Sequence, residues 1–253
     1  MTIIYEERSS DSPYIETITR GSTVSDGSTI RPSEVHWHMV FVKHNDSIRL
    51  LVVGPWTAAG IASWGEGAEI LWIKFKLGTF MSHMTARDFL DLETSLPEAS
   101  SKSFWLKGSV WQFPDYNNVE TFIERLVHDE VLVLDPIVKA ALQGQVPEMS
   151  SRTVRHRFLR ATGLTQNYIR QFERAQRAEA LLQQGVPILD VVSQLGYFDQ
   201  PHLTRSLRQF IGYTPAQITR MSQPDCQNIQ DTILLLGYDT NVLTKIGYPK
   251  PKE

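Results

Sequence analysis

The chain has 253 residues, 42% of them hydrophobic and 21% charged, which is typical of a globular protein with one large domain or two small ones. Its single cysteine, Cys226, excludes an intrachain disulfide framework and a zinc site built from several cysteines. No apolar run approaches the roughly 20 residues of a membrane span. The polar N-terminus does not resemble a secretion signal. We therefore expect a cytoplasmic protein.

The net charge of −3 hides a strong asymmetry along the chain. Residues 151–220 hold ten arginines, no lysine and four acidic residues, whereas the rest of the chain holds 15 basic and 24 acidic residues. This division predicts a nucleic-acid-binding module joined to an acidic domain. Arginine suits such a module because its planar guanidinium makes paired hydrogen bonds to phosphate or guanine.

Residues 1–33 are polar and predict an N-terminal arm with one short strand near 14–18. Apolar and polar residues then alternate over 34–43, the residues of 48–55 are almost continuously apolar, and alternation returns over 69–78. Three strands are therefore predicted, which is typical of a small antiparallel sheet or barrel. The first strand places Val35, Trp37, Met39 and Phe41 on one face, and the third places Leu71, Ile73, Phe75 and Leu77 on one face.

From residue 117 the hydrophobic spacing becomes that of a helix, with an asparagine at its start as the predicted cap. This helix either supplies a dimer face or buries its apolar stripe within one subunit. A second short helix is predicted over 135–143. The stripe of the first helix consists of Val119, Phe122, Ile123, Leu126 and Val127.

Residues 150–163 predict the recognition helix of a first helix-turn-helix motif, with Val154, Phe158 and Ala161 facing inward. The longest helical pattern follows over 164–185. About 20 residues at 1.5 Å rise span roughly 30 Å, which is close to the roughly 34 Å between successive major grooves on one face of DNA. The basic residues on the outer side of the first recognition helix either read bases or neutralise phosphates, and they are Arg152, Arg155, His156 and Arg160.

Residues 185–215 predict a second helix-turn-helix motif. Apolar residues recur at helical spacing over 188–195, Gly196 ends that helix in a left-handed conformation, and Asp199 caps the next helix. In that next helix Leu203, Leu207 and Phe210 share one face. The residues expected to contact DNA from it are Gln200, Pro201, His202, Arg205 and Arg208.

The second motif resembles the signature of the AraC/XylS transcription regulators, and Phe158 and Gly163 also fit that family, so the resemblance covers about the last third of the folded chain. The family usually has alanine where Val192 stands and phenylalanine where Leu203 and Leu207 stand. Only 14 residues separate Asp135 from Ser150, fewer than the two helices that normally precede the first recognition helix would need. The matching residues are Ile188, Val191, Gly196, Tyr197, Leu203, Arg205, Leu207, Arg208, Gly212, Thr214 and Pro215.

The resemblance implies an α+β protein, with a small antiparallel, cupin-like sensor domain followed by an all-α domain in which a linker helix joins two helix-turn-helix motifs. It also implies RNA polymerase as a partner. The predicted division is a β-rich sensor over 1–116, a connecting helix over 117–134, the DNA-binding domain over 135–221 and a tail over 222–253. Within the tail, the segment 231–240 reads as a strand or a helix.

All six tryptophans lie in the N-terminal half, where they line an effector pocket or fill the core of a small β domain. His36 and His38 share a strand face because they are two residues apart. Metal-binding cupins have a glutamate about where Lys43 stands, and a catalytic site wants three protein ligands. We therefore expect no metal and no cofactor. The candidate effector-binding residues are His36, His38, Trp37 and Trp72.

Together these features predict a sequence-specific transcription regulator, not an enzyme, that binds double-stranded DNA. A small-molecule effector acting through the N-terminal domain and a homodimer are further expectations, and no membrane partner is expected. Two alternatives stay open: a cupin-like metal-dependent enzyme with a helical accessory domain, and an interaction module that does not bind DNA. A DNA-repair alkyl acceptor is disfavoured because Cys226 lacks neighbours that would lower a thiol pKa.

Overall fold

The computed structural model describes residues 3–45, 47–145 and 148–222, so Cys226 and the segment 231–240 lie outside the described residues. The fold is mixed α+β, with antiparallel strands first and helices after them. The strands are β1 (Ile3–Ser9), β2 (Ile15–Thr23), β3 (Gly27–Arg31), β4 (His38–His44), β5 (Ser47–Val53), β6 (Gly60–Trp64), β7 (Glu69–Phe75), β8 (Thr79–Met81), β9 (Glu93–Ser95), β10 (Glu98–Ser100), β11 (Ser103–Leu106), β12 (Ser109–Gln112) and β13 (Leu132–Leu134). The helices are α1 (Val119–His128), α2 (Pro136–Leu142), α3 (Ser151–Thr162), α4 (Gln166–Gln183), α5 (Ile188–Gln194), α6 (Gln200–Phe210) and α7 (Pro215–Met221), with a 3-10 helix at Ala86–Phe89.

The main sheet has six antiparallel strands in the order β1-β2-β7-β4-β5-β9. The three predicted strands are β4, β5 and β7, and they form its centre. Met39 pairs with Ile73 across β4 and β7, and both side chains are buried on the face that the alternation predicts. Three smaller sheets complete the β region: β10-β11-β12, β8-β13 and β3-β6.

The prediction of an N-terminal arm with one short strand is wrong, because residues 3–31 form three strands. β1 pairs along its whole length with β2, which in turn pairs with β7. Ile15 and Ile18 of β2 are fully buried, whereas Glu6 and Glu7 of β1 are exposed at the sheet edge. Charged side chains are common on edge strands, where they oppose pairing with another chain. The polar residues of β1 therefore indicate an edge strand and not an irregular arm.

Both faces of the main sheet are covered. One face, with Val40 and Val53, forms a buried cluster with Trp56 and with Trp64 of β6. The other face, with Met39, belongs to a larger cluster that continues through all seven helices. Trp37, Trp56, Trp64 and Trp111 are buried in these cores and Trp105 is 46% exposed.

The apolar stripe of α1 is buried within the subunit, which is one of the two alternatives that its sequence leaves open. Phe122 lies edge-on to Phe41 of β4, with ring centroids 6.1 Å apart, and Ile123 and Leu126 are fully buried. Asn118 occupies the cap position, but its side chain does not cap the helix. Its Oδ1 instead accepts a hydrogen bond from the backbone N–H of Asp115 at 2.9 Å.

An ion pair joins the N-terminal strand to α1. Arg8 donates from both terminal nitrogens to the two carboxylate oxygens of Glu120, one of them at 2.9 Å, and the Ser10 hydroxyl donates to the same carboxylate at 3.1 Å. These hydrogen bonds, and above all those from Arg8, lower the pKa of Glu120 to about 2, although burial acts in the opposite direction. The carboxylate is thus more acidic in the folded chain than in the unfolded one.

We expect Glu120→Gln to lower the free energy of unfolding at pH 7 by about 1 kcal/mol, because a bidentate pair about one-third exposed is partly screened by solvent. A carboxylate whose pKa is lowered on folding stabilises the fold above its unfolded-state pKa. That contribution disappears as the pH falls from about 4.5 towards 2. Denaturant unfolding of both proteins between pH 7 and pH 2.5 measures the difference. Glu124→Gln, in an exposed position of the same helix, is the control, and a difference independent of pH would contradict the assignment.

Candidate nucleic-acid interface

The helix α6 forms for local reasons that the sequence predicts. The Asp199 side chain accepts a hydrogen bond from the backbone N–H of His202 at 2.7 Å and so caps the helix, while Pro201 occupies its first turn. The preceding turn is made by Gly196 at φ +66°, as predicted. The inward stripe is also as predicted, with Leu203, Leu207 and Phe210 buried.

Contacts to α4 fix the position of α6. The ring of Phe210 lies edge-on to Phe172 of α4, with centroids 6.2 Å apart. At the turn before α6, the Tyr197 hydroxyl hydrogen-bonds to Ser206 at 3.2 Å, and the Arg174 guanidinium of α4 lies 4.3 Å from the Tyr197 ring centre. The orientation of the outer face of α6 is therefore set by buried contacts on its inner face.

Four of the five residues of α6 that are predicted to contact DNA are exposed. Arg205 and Arg208 are exposed, and so are Gln200 and Pro201 at the beginning of the helix. His202 is only partly exposed: its Nδ1 accepts a hydrogen bond from the N–H of Phe198 at 3.3 Å, and its ring packs edge-on against Tyr197. Pro201, Arg205 and Arg208 thus share one open face, Gln200 is exposed at the beginning of the helix, and the histidine helps to form the turn.

The helix α3 presents a second basic face. Ser150 caps it by accepting from the N–H of Thr153 at 3.1 Å, and Gly163 ends it at φ +73°. All four of its predicted DNA-contacting residues are exposed, namely Arg152, Arg155, His156 and Arg160. Arg160 differs from the other three because its guanidinium lies 5.8 Å from the ring centre of Phe80 in β8, beside the β region. Arg157, which is not among the predicted DNA contacts, forms an ion pair with Asp135 at 2.6 Å.

The helix α4 lies between the two basic helices α3 and α6 in the chain, and its 18 residues span about 27 Å at 1.5 Å rise. Its buried stripe runs through Ala178, one of two alternatives for that position, and Ala180 is exposed. Burial raises the pKa of Glu179 on this helix to about 7. At neutral pH this acid therefore carries less than a full negative charge, which makes the helical region more positive than its composition indicates.

Two exposed apolar residues, Phe198 and Leu189, are not among the residues predicted to contact DNA. Phe198 lies in the turn between α5 and α6, one residue before the cap of α6, and it is 90% exposed. Leu189 in the first turn of α5 is 69% exposed. The sequence does contain a signal for their exposure, because both are apolar residues that lie outside the apolar stripes of the helices. An aromatic side chain held in solvent beside the open face of α6 is available to a bound partner.

Three of the four candidate effector residues lie together, and the fourth does not. The prediction that His36 and His38 share a strand face is wrong, because His36 lies in a bend before β4 and His38 is the first residue of β4. Their ring nitrogens nevertheless lie 2.5 Å and 3.9 Å from the Glu34 carboxylate. Trp72 donates its ring N–H to Nδ1 of His38 at 2.6 Å. Trp37 is buried on the opposite face, against Phe89.

The Glu34 cluster is strongly polarised. Burial opposes ionisation of Glu34, but its neighbours His36 and Lys74 hold its pKa well below its usual range, and Nζ of Lys74 lies 2.9 Å from its carboxylate. Burial lowers the pKa of His38 to about 3, so this ring is neutral at physiological pH. Within the described residues, no group of three or more His, Cys, Asp and Glu side chains is arranged to hold a metal ion.

A cleft of about 640 Å³ opens elsewhere on the β region, between one end of the main sheet and residues 113–116. Its floor is apolar, with Phe41, Leu71 and Phe113. Two ion pairs stand among its lining residues, Arg20 with Glu6 at 2.6 Å and Lys43 with Glu69 at 3.1 Å. None of the four candidate effector residues lines it. As for membranes, none of the helices in the described ranges is long and apolar enough to span one.

Comparison with known proteins identifies the helical part of the chain. Residues 146–221 match the family model of a helix-turn-helix domain. Comparisons with curated proteins and with solved structures returned no match. The matched range contains α3 to α7, including both basic faces. This region is therefore an AraC-type helix-turn-helix domain, which confirms the resemblance found in the sequence and supports an AraC/XylS-type regulator.

Proposed function

We propose that this protein is a sequence-specific transcription regulator whose α6 and α3 enter successive major grooves of double-stranded DNA. The observation that carries the proposal is the division of α6 into two faces within an AraC-type domain: Leu203 and Leu207 are buried, and Arg205 and Arg208 are exposed. In a helix-turn-helix protein the second helix lies in the major groove and its N-terminal residues contact base edges. Gln200 and Pro201 are in the corresponding position, and Arg205 lies one turn further along, in the middle of the helix.

In this proposal α2 and α3 form the first helix-turn-helix motif, and α4 spaces the two recognition helices. The length of α4, about 27 Å, is comparable to the roughly 34 Å of one DNA turn. Arg152 and Arg155 supply phosphate or base contacts from α3, and the arginines together give affinity that depends on salt. The proposal keeps the predicted boundaries, with a regulatory domain over 1–116 and a DNA-binding domain over 135–221.

RNA polymerase remains an expected partner through the family resemblance. A homodimer also remains a prediction. The stripe of α1 is buried within the subunit, so a dimer face would use a different surface.

Arg205→Ala tests whether α6 reads bases. An operator is first selected from random duplex DNA, and affinities for it and for a scrambled duplex are then measured at two salt concentrations. We expect the wild-type log–log salt slope to be about −4 to −5 if half of the ten arginines of residues 151–220 contact phosphates. Because a base-contacting arginine is worth about 1–3 kcal/mol of discrimination, the variant should lose about ten- to a hundredfold of operator affinity and little affinity for scrambled DNA.

The control is Arg177→Ala, which removes an exposed arginine from α4. Equal loss on both duplexes would assign Arg205 to phosphate binding, with a salt slope lower by about one unit. If wild-type protein selects no sequence at all, the proposal fails in favour of an interaction module that does not bind DNA.

Phe198 extends the proposed reading surface. Its side chain precedes the cap of α6 and is nearly fully exposed, so in the groove it would lie beside base edges near Gln200. Among the four bases, thymine presents a methyl group in the major groove, and an apolar side chain recognises it by contact. We propose that Phe198 contacts a thymine methyl group of the operator.

Replacing operator thymines one at a time with deoxyuridine removes only the methyl group. At the contacted position, we expect wild-type affinity to fall about fourfold, since burying one such carbon is worth about 0.8 kcal/mol. Phe198→Ala should weaken binding to the thymine operator and be insensitive to that replacement. Leu189→Ala is the matched control on α5. If no thymine distinguishes wild type from Phe198→Ala, Phe198 does not read a methyl group.

Control of DNA binding is proposed to act through the cleft on the β region and not through His36 and His38. The apolar floor and the charged pairs at its edge suit an amphipathic small molecule with an apolar body and a polar end. The alternative site at His36 and His38 is already occupied by Glu34 and Lys74. Trp72 takes part in that cluster through His38.

Leu71→Trp tests the cleft by filling its floor. The fluorescent probe anilinonaphthalene sulfonate has an aromatic body and an anionic end, so we expect wild-type protein to enhance its fluorescence and the variant to lose most of that enhancement. The control is Val110→Trp at an exposed position of β12. Operator affinity measured with saturating probe should change for wild type and not for Leu71→Trp. Equal probe binding by all three proteins would rule out the cleft.

A further inference from the structure

The β region hydrogen-bonds to the end of the recognition helix α6. The backbone N–H of Ser33 donates to the carbonyl of Phe210 at 2.7 Å, and the N–H of Ala59 donates to the carbonyl of Gln209 at 2.7 Å. The last carbonyls of a helix have no partner within the helix and need donors from outside it. Here two donors come from loops more than 140 residues earlier in the chain.

The same region also holds α4 and α3. The Tyr168 hydroxyl of α4 donates to the carbonyl of Thr57 at 2.6 Å, two residues from the Ala59 contact. At the end of α3, Gly163 packs so closely on the 3-10 helix that a Cβ there would lie 2.8 Å from the carbonyl oxygen of Ala86. One surface of the β region therefore contacts both recognition helices and the helix between them.

The two loops that contact α6 are tied to each other. Glu34 and Trp56 exchange two backbone hydrogen bonds, at 2.8 and 3.0 Å, and they adjoin Ser33 and Thr57 respectively. Thr57 is held in addition by Asp91, which accepts from its backbone N–H at 2.5 Å and from its hydroxyl at 2.6 Å. The donors to α6 thus form one preorganised unit.

These contacts leave the reading face free. They involve the C-terminal end of α6, whereas Gln200 and Pro201 are exposed at its N-terminal end and Arg205 in its middle. Arg152 and Arg155 of α3 are exposed as well. Docking of the β region is therefore compatible with DNA in the groove.

We propose that the β region is a positioning element for DNA recognition: by holding the end of α6 and the end of α3 on one surface, it sets the relative placement of the two recognition helices. The inference rests on the proposed function. Fixing both helices before binding lowers the ordering cost of engaging two grooves at once, and preorganisation of this kind raises affinity.

Two glycines provide a matched test in the full-length chain. Gly212 follows α6 at φ +89°, and a Cβ there would lie 2.3 Å from Cγ2 of Ile30 and 3.1 Å from Cβ of Ala59. Gly185 follows α4 at φ +83°, and a Cβ there would meet nothing within 4 Å. Gly212→Ala and Gly185→Ala therefore impose similar backbone strain, but only the first pushes the β region away from α6.

Affinity is measured for the selected operator and for a scrambled duplex of equal length. We expect Gly212→Ala to lose about tenfold of operator affinity and to keep its affinity for scrambled DNA, because positioning affects only the contacts that need both helices in register. Gly185→Ala should stay within about twofold of wild type on both duplexes. Adding Ile30→Ala to Gly212→Ala removes the colliding methyl group and should restore part of the lost affinity, which a purely local strain would not allow.

Equal operator affinity of Gly212→Ala and Gly185→Ala would overturn the inference, and so would a gain of affinity in Gly212→Ala. If Gly212→Ala does not fold, as judged by circular dichroism, Tyr168→Phe replaces it. That variant removes only the hydroxyl that donates to Thr57. We expect it to lose two- to fivefold of operator affinity and to keep its affinity for scrambled DNA. A wild-type protein without sequence preference would instead contradict the proposed function, so the two failures are distinguishable.

Discussion

The structure depends on the burial of one face of α6. An 11-residue helix is too short to be stable alone in water, so its order comes from packing. Leu203, Leu207 and Phe210 supply that packing, and each fully buried side chain of this size contributes about 1.5–3 kcal/mol. Phe210 also joins the two parts of the chain, since its ring packs on α4 and its carbonyl accepts from the β region.

This constraint explains why the hydrophobic core does not stop where the strands end. The buried cluster on the Met39 face of the main sheet includes Phe158 of α3 and Leu207 of α6. The opposite face of the sheet packs on β6 and forms a separate small core. The helices are therefore an extension of one side of the β region.

Polar groups are used where the β region meets the helices. Glu34 is a largely buried carboxylate, with 17% of its side chain exposed, and burying a charge is costly unless it is paired. Lys74 and His36 are its partners. Its backbone pairs with Trp56, and the next residue toward the N-terminus donates to α6. The Glu34 cluster thus holds in place the backbone that leads into β4.

The sequence by itself determined the local structure of the helical part, including the cap at Asp199, the left-handed turn at Gly196 and the two faces of α6. These features follow from residues within about four positions of each other, where spacing and backbone preference decide the outcome. It also predicted the centre of the main sheet. The tertiary structure alone decided that residues 3–31 are strands, that Trp37 and the His38 cluster lie on opposite faces, and that Ser33 and Ala59 contact α6. Those outcomes depend on pairing between segments up to 177 residues apart, as for Ser33 and Phe210, and no local pattern encodes which distant partner a strand or a helix end will find.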